Sequence, residues 1–293
     1  MKYVARILAV GNATLDIINV VDGYPAEDTE VRASAQQIRR GGNAANTLVA
    51  LSQLGHSCSW AGTLAAEPDG SLILADLARH RIDSSAVRSV THGKVPTSYV
   101  TLNRRNGSRT IVHYRDLPEY HHNDFTQIDL AEFAWLHFEG RNIEEVRPMM
   151  ERARNIRPEL PVSLEVEKVR PGIENLFPLA SLLLFSKEFA RHSGHPEACS
   201  FLRALHDNSG IAAQLVCAWG ELGAYALDGE GHCHHAPAHP PLQVVDTLGA
   251  GDVFNAGVID GLVRGETLAA ALHGATRLAG RKCGIYGLEG LAR

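Results

Sequence analysis

Strand-length apolar runs alternate with helix-length amphipathic stretches through most of the chain, and this alternation limits the fold more than any other feature. Residues 6–10, 58–61, 135–138, 162–165, 182–185 and 215–218 read as buried strands. Residues 44–54, 70–80, 144–155, 196–207, 250–264 and 267–282 read as helices. In the first of these, Leu48, Leu51 and Leu54 share a face, Asn43 is placed as N-cap, and Gly55 stands where a terminating glycine belongs. Parallel strands joined by helical crossovers bury both sheet faces, so the pattern predicts an α/β chain with a mostly parallel sheet between helical layers.

The rhythm breaks between Pro96 and Tyr114. Val100, Leu102, Ile111 and Val112 flank a loop containing Asn106-Gly107, which reads as a hairpin. Residues 16–21 and 31–34 are its expected companions in a small separate sheet. Asp228-Gly229 suggests a later hairpin. Ligands of doubly wound sheets bind beyond the carboxyl ends of the strands, so the turns there are where chemistry is expected.

The most informative such turn is Asp246-Thr247-Leu248-Gly249-Ala250-Gly251-Asp252, between a short expected strand at 243–245 and an apolar helix. Gly249-Ala250-Gly251 carries almost no side-chain bulk at a helix N-terminus. Its amides can close on an anion, and the helix dipole favours one. Asp252 in the first helical turn is expected to be ionised there. A carboxylate beside a phosphoryl pocket suits a general base that takes the proton of an acceptor hydroxyl. No GxxxxGK[ST], GxGxxG after a strand, or kinase catalytic loop is present, so those scaffolds are excluded.

A second polar segment, Arg39-Arg40-Gly41-Gly42-Asn43-Ala44-Ala45-Asn46, opens the first long helix. Asn43 and Asn46 are three apart and offer donors and acceptors to sugar hydroxyls, while Gly42 admits a ligand to the backbone. Asp16, after the first strand, adds a carboxylate.

Lys and Arg number 28 against 33 Asp and Glu, a net charge of −5, which argues against nucleic acid or an anionic membrane as a partner. No apolar run reaches the ~18 residues of a membrane helix, and residues 1–11 carry no signal-peptide profile. Five scattered cysteines without a CxxC read as reduced thiols, and the expected location is the cytoplasm.

With both polar segments in hand, the chain resembles the PfkB (ribokinase-like) carbohydrate kinases, in the order and separation of their two signature regions. It is most similar to the fructose-phosphorylating branch. The runs Asn106-Gly107-Ser108-Arg109, His137-Phe138-Glu139-Gly140-Arg141-Asn142 and Arg281-Lys282-Cys283-Gly284 extend the likeness across nearly the whole chain. The resemblance implies one α/β/α domain over 1–293 with lid strands at about 13–37 and 95–116, and a homodimer formed through that lid. It implies ATP-dependent phosphorylation of D-fructose at the 1-hydroxyl.

Carried over by that likeness, Asp252 is the base, Gly249, Ala250 and Gly251 form the anion hole, and Asp16, Gly42, Asn43 and Asn46 hold the sugar. Arg109, Lys187, Gly220, Glu221, Leu222, Gly223 and Asn255 lie along ATP. Mg²⁺ accompanies ATP, and K⁺ sits near Asp246 and the C-terminal loop. Where the wider family has Asn-x-x-Glu, this chain has Ser186-Lys187-Glu188-Phe189. That leaves the metal-shell carboxylate unassigned, with Glu165 and Glu167 as candidates. The rival readings are a kinase for ribose, tagatose or adenosine, and an idle sugar or nucleotide sensor.

Overall fold

A computed structural model describes residues 4–209 and 211–291; the first three residues of the N-terminal stretch read above lie outside it. The first half runs β1 (Arg6–Val10), β2 (Thr14–Val21), β3 (Ala35–Gly41), α1 (Asn43–Gln53), β4 (Ser57–Ala61), β5 (Thr63–Ala65), α2 (Pro68–Arg79), β6 (Ile82–Asp83), β7 (Arg88–Val90), β8 (Lys94–Asn103), β9 (Arg109–Asp116) and α3 (His122–Phe125). The second half runs β10 (Trp135–Glu139), α4 (Ile143–Ile156), β11 (Val162–Val166), β12 (Leu182–Ser186), α5 (Lys187–His192), α6 (Ala198–Ser209), β13 (Gln214–Ala218), β14 (Ala224–Leu227), β15 (Cys233–Ala236), α7 (Ala250–Val263) and α8 (Leu268–Cys283).

Nine strands form the central sheet in the order β15-β14-β13-β12-β11-β10-β1-β4-β6. From β6 to β13 every pairing is parallel, and β14 and β15 close that edge antiparallel. One face is covered by α1, α7 and α8 through Leu48, Leu51, Val253, Ile259 and Leu272. The other is covered by α4 and α6 through Met149, Met150, Phe201 and Leu202. α7 is buried almost throughout, which its near-continuous apolar sequence requires. It can lie close to α8 because Gly257 and Gly261 leave the space: a Cβ there would stand 2.7 Å from Ala275 and 2.6 Å from Ala271. Because β1 lies inside the sheet and the chain leaves it in both directions, the carboxyl ends of β1, β10 and β11 open one cleft at the switch point.

A second, four-stranded sheet in the order β3-β2-β8-β9 stands outside the first. The hairpin and the first companion strand lie where the sequence placed them. The second companion does not. Residues 31–34 are irregular, and the strand is β3, running through Arg39, Arg40 and Gly41 to the residue before Gly42, the N-cap of α1. Its sequence, AQQIRRG, has no apolar run because it is an edge strand with little of it buried.

Three more expectations are corrected. Asn43 does not cap α1; Gly42 at φ 97° is the N-cap and makes no side-chain bond, and the Asn43 amide is used elsewhere. Residues 243–245 form no strand. Val245 and Asp246 instead donate their amides to the Cys283 carbonyl at the end of α8. The cysteines are not all thiols: packing of α6 against β14 brings Cys199 to Cys233, on the neighbouring strand β15, as a disulfide, their Cα atoms 6.3 Å apart.

Candidate active site

The cleft beyond β1, β10 and β11 has a volume of about 700 Å³ and is walled on its far side by the small sheet. At its floor α7 begins. Gly249 has φ 82°, a left-handed conformation that favours glycine, and turns the chain into the helix. Ala250 N–H donates to Thr247 O and Val253 N–H to Gly249 O. The amides of Gly251 and Asp252 have no acceptor among the described residues. Gly251 is exposed to the cleft, and a Cβ on it would meet nothing within 4 Å. This is an open anion cradle.

Asp252 is buried beside the cradle, with its Oδ2 accepting from Asn46 Nδ2 at 2.6 Å. Asn46 in turn accepts from Arg40 Nη1 at 2.7 Å, and Arg40 Nε is tied to Asp76 at 2.7 Å. Burial pushes the Asp252 carboxyl up to about 7; the Asn46 hydrogen bond opposes this and the charges of Glu167 and Glu139 add to it. The expectation of a fully ionised group is therefore corrected. Desolvation outweighs the Asn46 hydrogen bond and the Arg40 charge, and holds the carboxyl near neutrality, where a base accepts and releases a proton readily.

Glu165, in β11, lies fully desolvated among these carboxylates. Its acid is raised well above the ordinary range by burial and then by the Asp252 charge. Its Oε1 accepts from Asn43 Nδ2 at 3.2 Å and Asn255 Nδ2 at 3.1 Å, while its Oε2 is buried without a hydrogen-bond partner. Glu167 Oε2 takes a second bond from Asn43 at 3.0 Å. The unpartnered Glu165 oxygen and the neighbouring Glu167 carboxylate offer hard oxygen donors to a cation that arrives on phosphates, while among the described residues no three acidic side chains form an all-protein cage. The residues fit Mg²⁺ on this count.

Asp16 enters from the small sheet. Gly41, across the strand pair, has no side chain because the Asp16 carboxylate lies where a Cβ would be, 2.2 Å away. Thr14 Oγ1 donates to Asp16 Oδ1 at 2.9 Å, yet burial still raises the acid above its usual value. Gly42 is equally constrained, since a Cβ would stand 2.3 Å from Asn12 O.

Asp16, Gly42, Asn43, Asn46, Arg109, Gly249, Ala250, Gly251, Asp252 and Asn255 all line one cleft. Arg109 reaches it from β9 and donates to Thr247 Oγ1 at 2.9 Å. Asn255, on the cleft lining, donates to Glu165 Oε1 at 3.1 Å. Lys187 and Gly220–Leu222 sit beyond the ends of β12 and β13 and do not line it; Lys187 Nζ stands 5.9 Å from the Trp219 ring. Gly223 is buried against Ala236 O.

Asp246 stands behind the cradle. Burial would raise its acid, but the Lys282 charge, the amides of Leu248 and Gly287, and Arg39 together hold it below the ordinary value. Those donors occupy the carboxylate, so the residues do not fit a further cation there.

Sequence reasoning overlooked Glu139, whose Oε2 accepts from Asn12 N–H at 2.8 Å, and the basic wall of Arg115, Arg141, Lys168 and Arg170. Glu139 directly follows the predicted strand 135–138, so the strand-end rule was the signal available for it.

Residues 4–288 match the family model described as pfkB family carbohydrate kinase. The chain is 43% identical over 293 residues to ketohexokinase of Mus musculus, covering 98% of each chain. It shares the fold of the ribokinase of Arabidopsis thaliana solved with ribose and ATP, with a TM-score of 0.78 at 21% identity over 97% of this chain and 94% of that one. A ribokinase of Cryptococcus neoformans solved with ADP gives a TM-score of 0.83 at 19% identity over 98% and 96%.

Proposed function

This chain belongs to the pfkB family of carbohydrate kinases and phosphorylates a sugar from ATP; we propose that its acceptor is D-fructose, taken at the 1-hydroxyl, with Asp252 as base. The observation that carries the reading is geometric: the buried Asp252 carboxyl, fixed by Asn46 at 2.6 Å, stands beside the open amides of Gly251 and Asp252 at the start of α7.

In this reading Asp16 and Asn43 hold sugar hydroxyls, and Asn46 does so while also fixing the Asp252 carboxylate. Asp252 takes the proton of the hydroxyl as its oxygen bonds to the γ-phosphorus and the bond to the ADP oxygen breaks. The amides of Gly251 and Asp252 receive charge on the transferring group, and Arg109 meets the phosphates from the lid. Lys187 and Gly220–Gly223 take the outer part of the nucleotide, beyond the cleft. Bound Mg²⁺ would neutralise phosphate charge, with Glu165 and Glu167 holding its water shell.

The reading also includes a single domain, a cytoplasmic location, where ATP is abundant, and a homodimer through the small sheet. Ile38, Tyr99 and Val112 lie exposed across that sheet's outer face, which supports the dimer. Among the described residues no helix is long and apolar enough to cross a membrane.

ADP release with fructose, tagatose, ribose and adenosine in parallel, followed by the position of the phosphate in the product, tests the acceptor. Fructose is expected to give the highest kcat/KM and a 1-phosphate. Preference for ribose or adenosine, or sugar binding without ADP, would sink the reading.

A further inference from the structure

Lys282 lies in the last turn of α8 with its side chain fully buried, a costly place for an ammonium unless its donors are matched. They are matched. Nζ donates to the Asp246 carbonyl at 2.7 Å and to the Ile285 carbonyl at 3.5 Å, and stands 3.3 Å from Asp246 Oδ2. The same Oδ2 accepts from Arg39 Nη1 at 2.9 Å and from the Gly287 amide at 3.0 Å, while Oδ1 accepts from the Leu248 amide at 2.9 Å.

A carboxylate oxygen and two main-chain carbonyls from the late turn and the C-terminal loop are the hard oxygen donors that a monovalent cation beside Asp246 would use. Here one compact positive charge with three N–H donors already gathers them. Lys282 and Arg39 balance Asp246 in excess, so a further ion would be a third positive charge on one carboxylate.

We propose that the Lys282 ammonium replaces the K⁺ ion expected from the family, so that this chain's nucleotide site is formed without any monovalent cation. The tether runs directly to the cradle. Asp246 binds the Leu248 amide one residue before Gly249, and Thr247 between them holds Arg109. Lys282 is a positioning residue, joining the C-terminal loop to the turn that receives the phosphoryl group; the proposal rests on that reading of the turn.

The test is ADP release by the whole protein with Mg²⁺, ATP and fructose, in KCl, NaCl or tetramethylammonium chloride at equal ionic strength. Thermal unfolding without nucleotide is followed in the same salts. Wild-type turnover, ATP KM and midpoint should agree across the salts, within about threefold for the kinetic constants. Lys282→Ala should lose about tenfold or more in turnover in tetramethylammonium, and K⁺ should restore part of both turnover and ATP affinity. A larger K⁺ activation or a K⁺-raised midpoint of the wild type overturns the proposal. So does a Lys282→Ala protein that is unimpaired, or one whose loss K⁺ cannot repair. If that variant does not fold, the wild-type series decides. Absence of turnover in every salt would count instead against the phosphoryl-transfer reading.

Discussion

Asp252 is held between burial, which favours its neutral form, and the Asn46 amide, which favours its charged form. Replacing it with Asn keeps the shape and removes the proton acceptor. Turnover should fall by about 10²–10⁴-fold with little change in sugar KM, measured by ADP release. The stability effect runs the other way. The folded carboxyl titrates at about 7 against an ordinary 3.8, so its contribution to stability is full below 3.8 and is lost as pH rises to about 7. Asp252→Asn should therefore melt higher than wild type above pH 7, and the difference should vanish in acid. The wild-type kcat/KM should rise through neutral pH as the base ionises. Glu167→Gln, which removes a neighbouring negative charge, should move that limb to lower pH; a limb that stays put would remove Asp252 from the titration seen.

At the scale of elements, the site is a set of helix and strand ends. Gly249→Ala forces a side chain into φ 82°, at a cost of about 1–2 kcal/mol, while its Cβ would meet only ordinary contacts at 3.4 Å and beyond. The variant should fold with a lower midpoint and lose far more in turnover than that cost explains, because the cradle amides rotate. Equal losses in both would make the turn merely structural. This turn was legible in the sequence, since two glycines around an alanine before an apolar helix serve few purposes other than backbone access. The role of Asn43 was not. Cap and ligand are both local options for an Asn before a helix, and the partner that decides, Glu165, is 122 residues away. β3 was missed because an edge strand with polar side chains carries no hydrophobic period.

At the scale of the whole molecule, the small sheet reaches the late turn through long-range contacts, Arg109 to Thr247, 138 residues away, and Arg39 to Asp246, 207 residues away. Arg109→Ala should raise ATP KM more than it lowers kcat, read from initial rates; an unchanged KM would detach the lid from the nucleotide. The outer face of that sheet leaves Tyr99 and Val112 exposed. Tyr99→Asp with Val112→Asp should convert a dimer to a monomer in sedimentation, and a wild type that sediments as a monomer would remove the dimer. The alternation of strands and helices, the hairpin and the glycine cradle follow from the sequence alone, because periodicity and backbone freedom are local properties. The carboxyl of Asp252 near neutrality, the orphaned oxygen of Glu165 and the ammonium of Lys282 under Asp246 were decided only by the tertiary structure. Desolvation and charge pairing depend on which distant groups the fold brings together, and no local pattern records them.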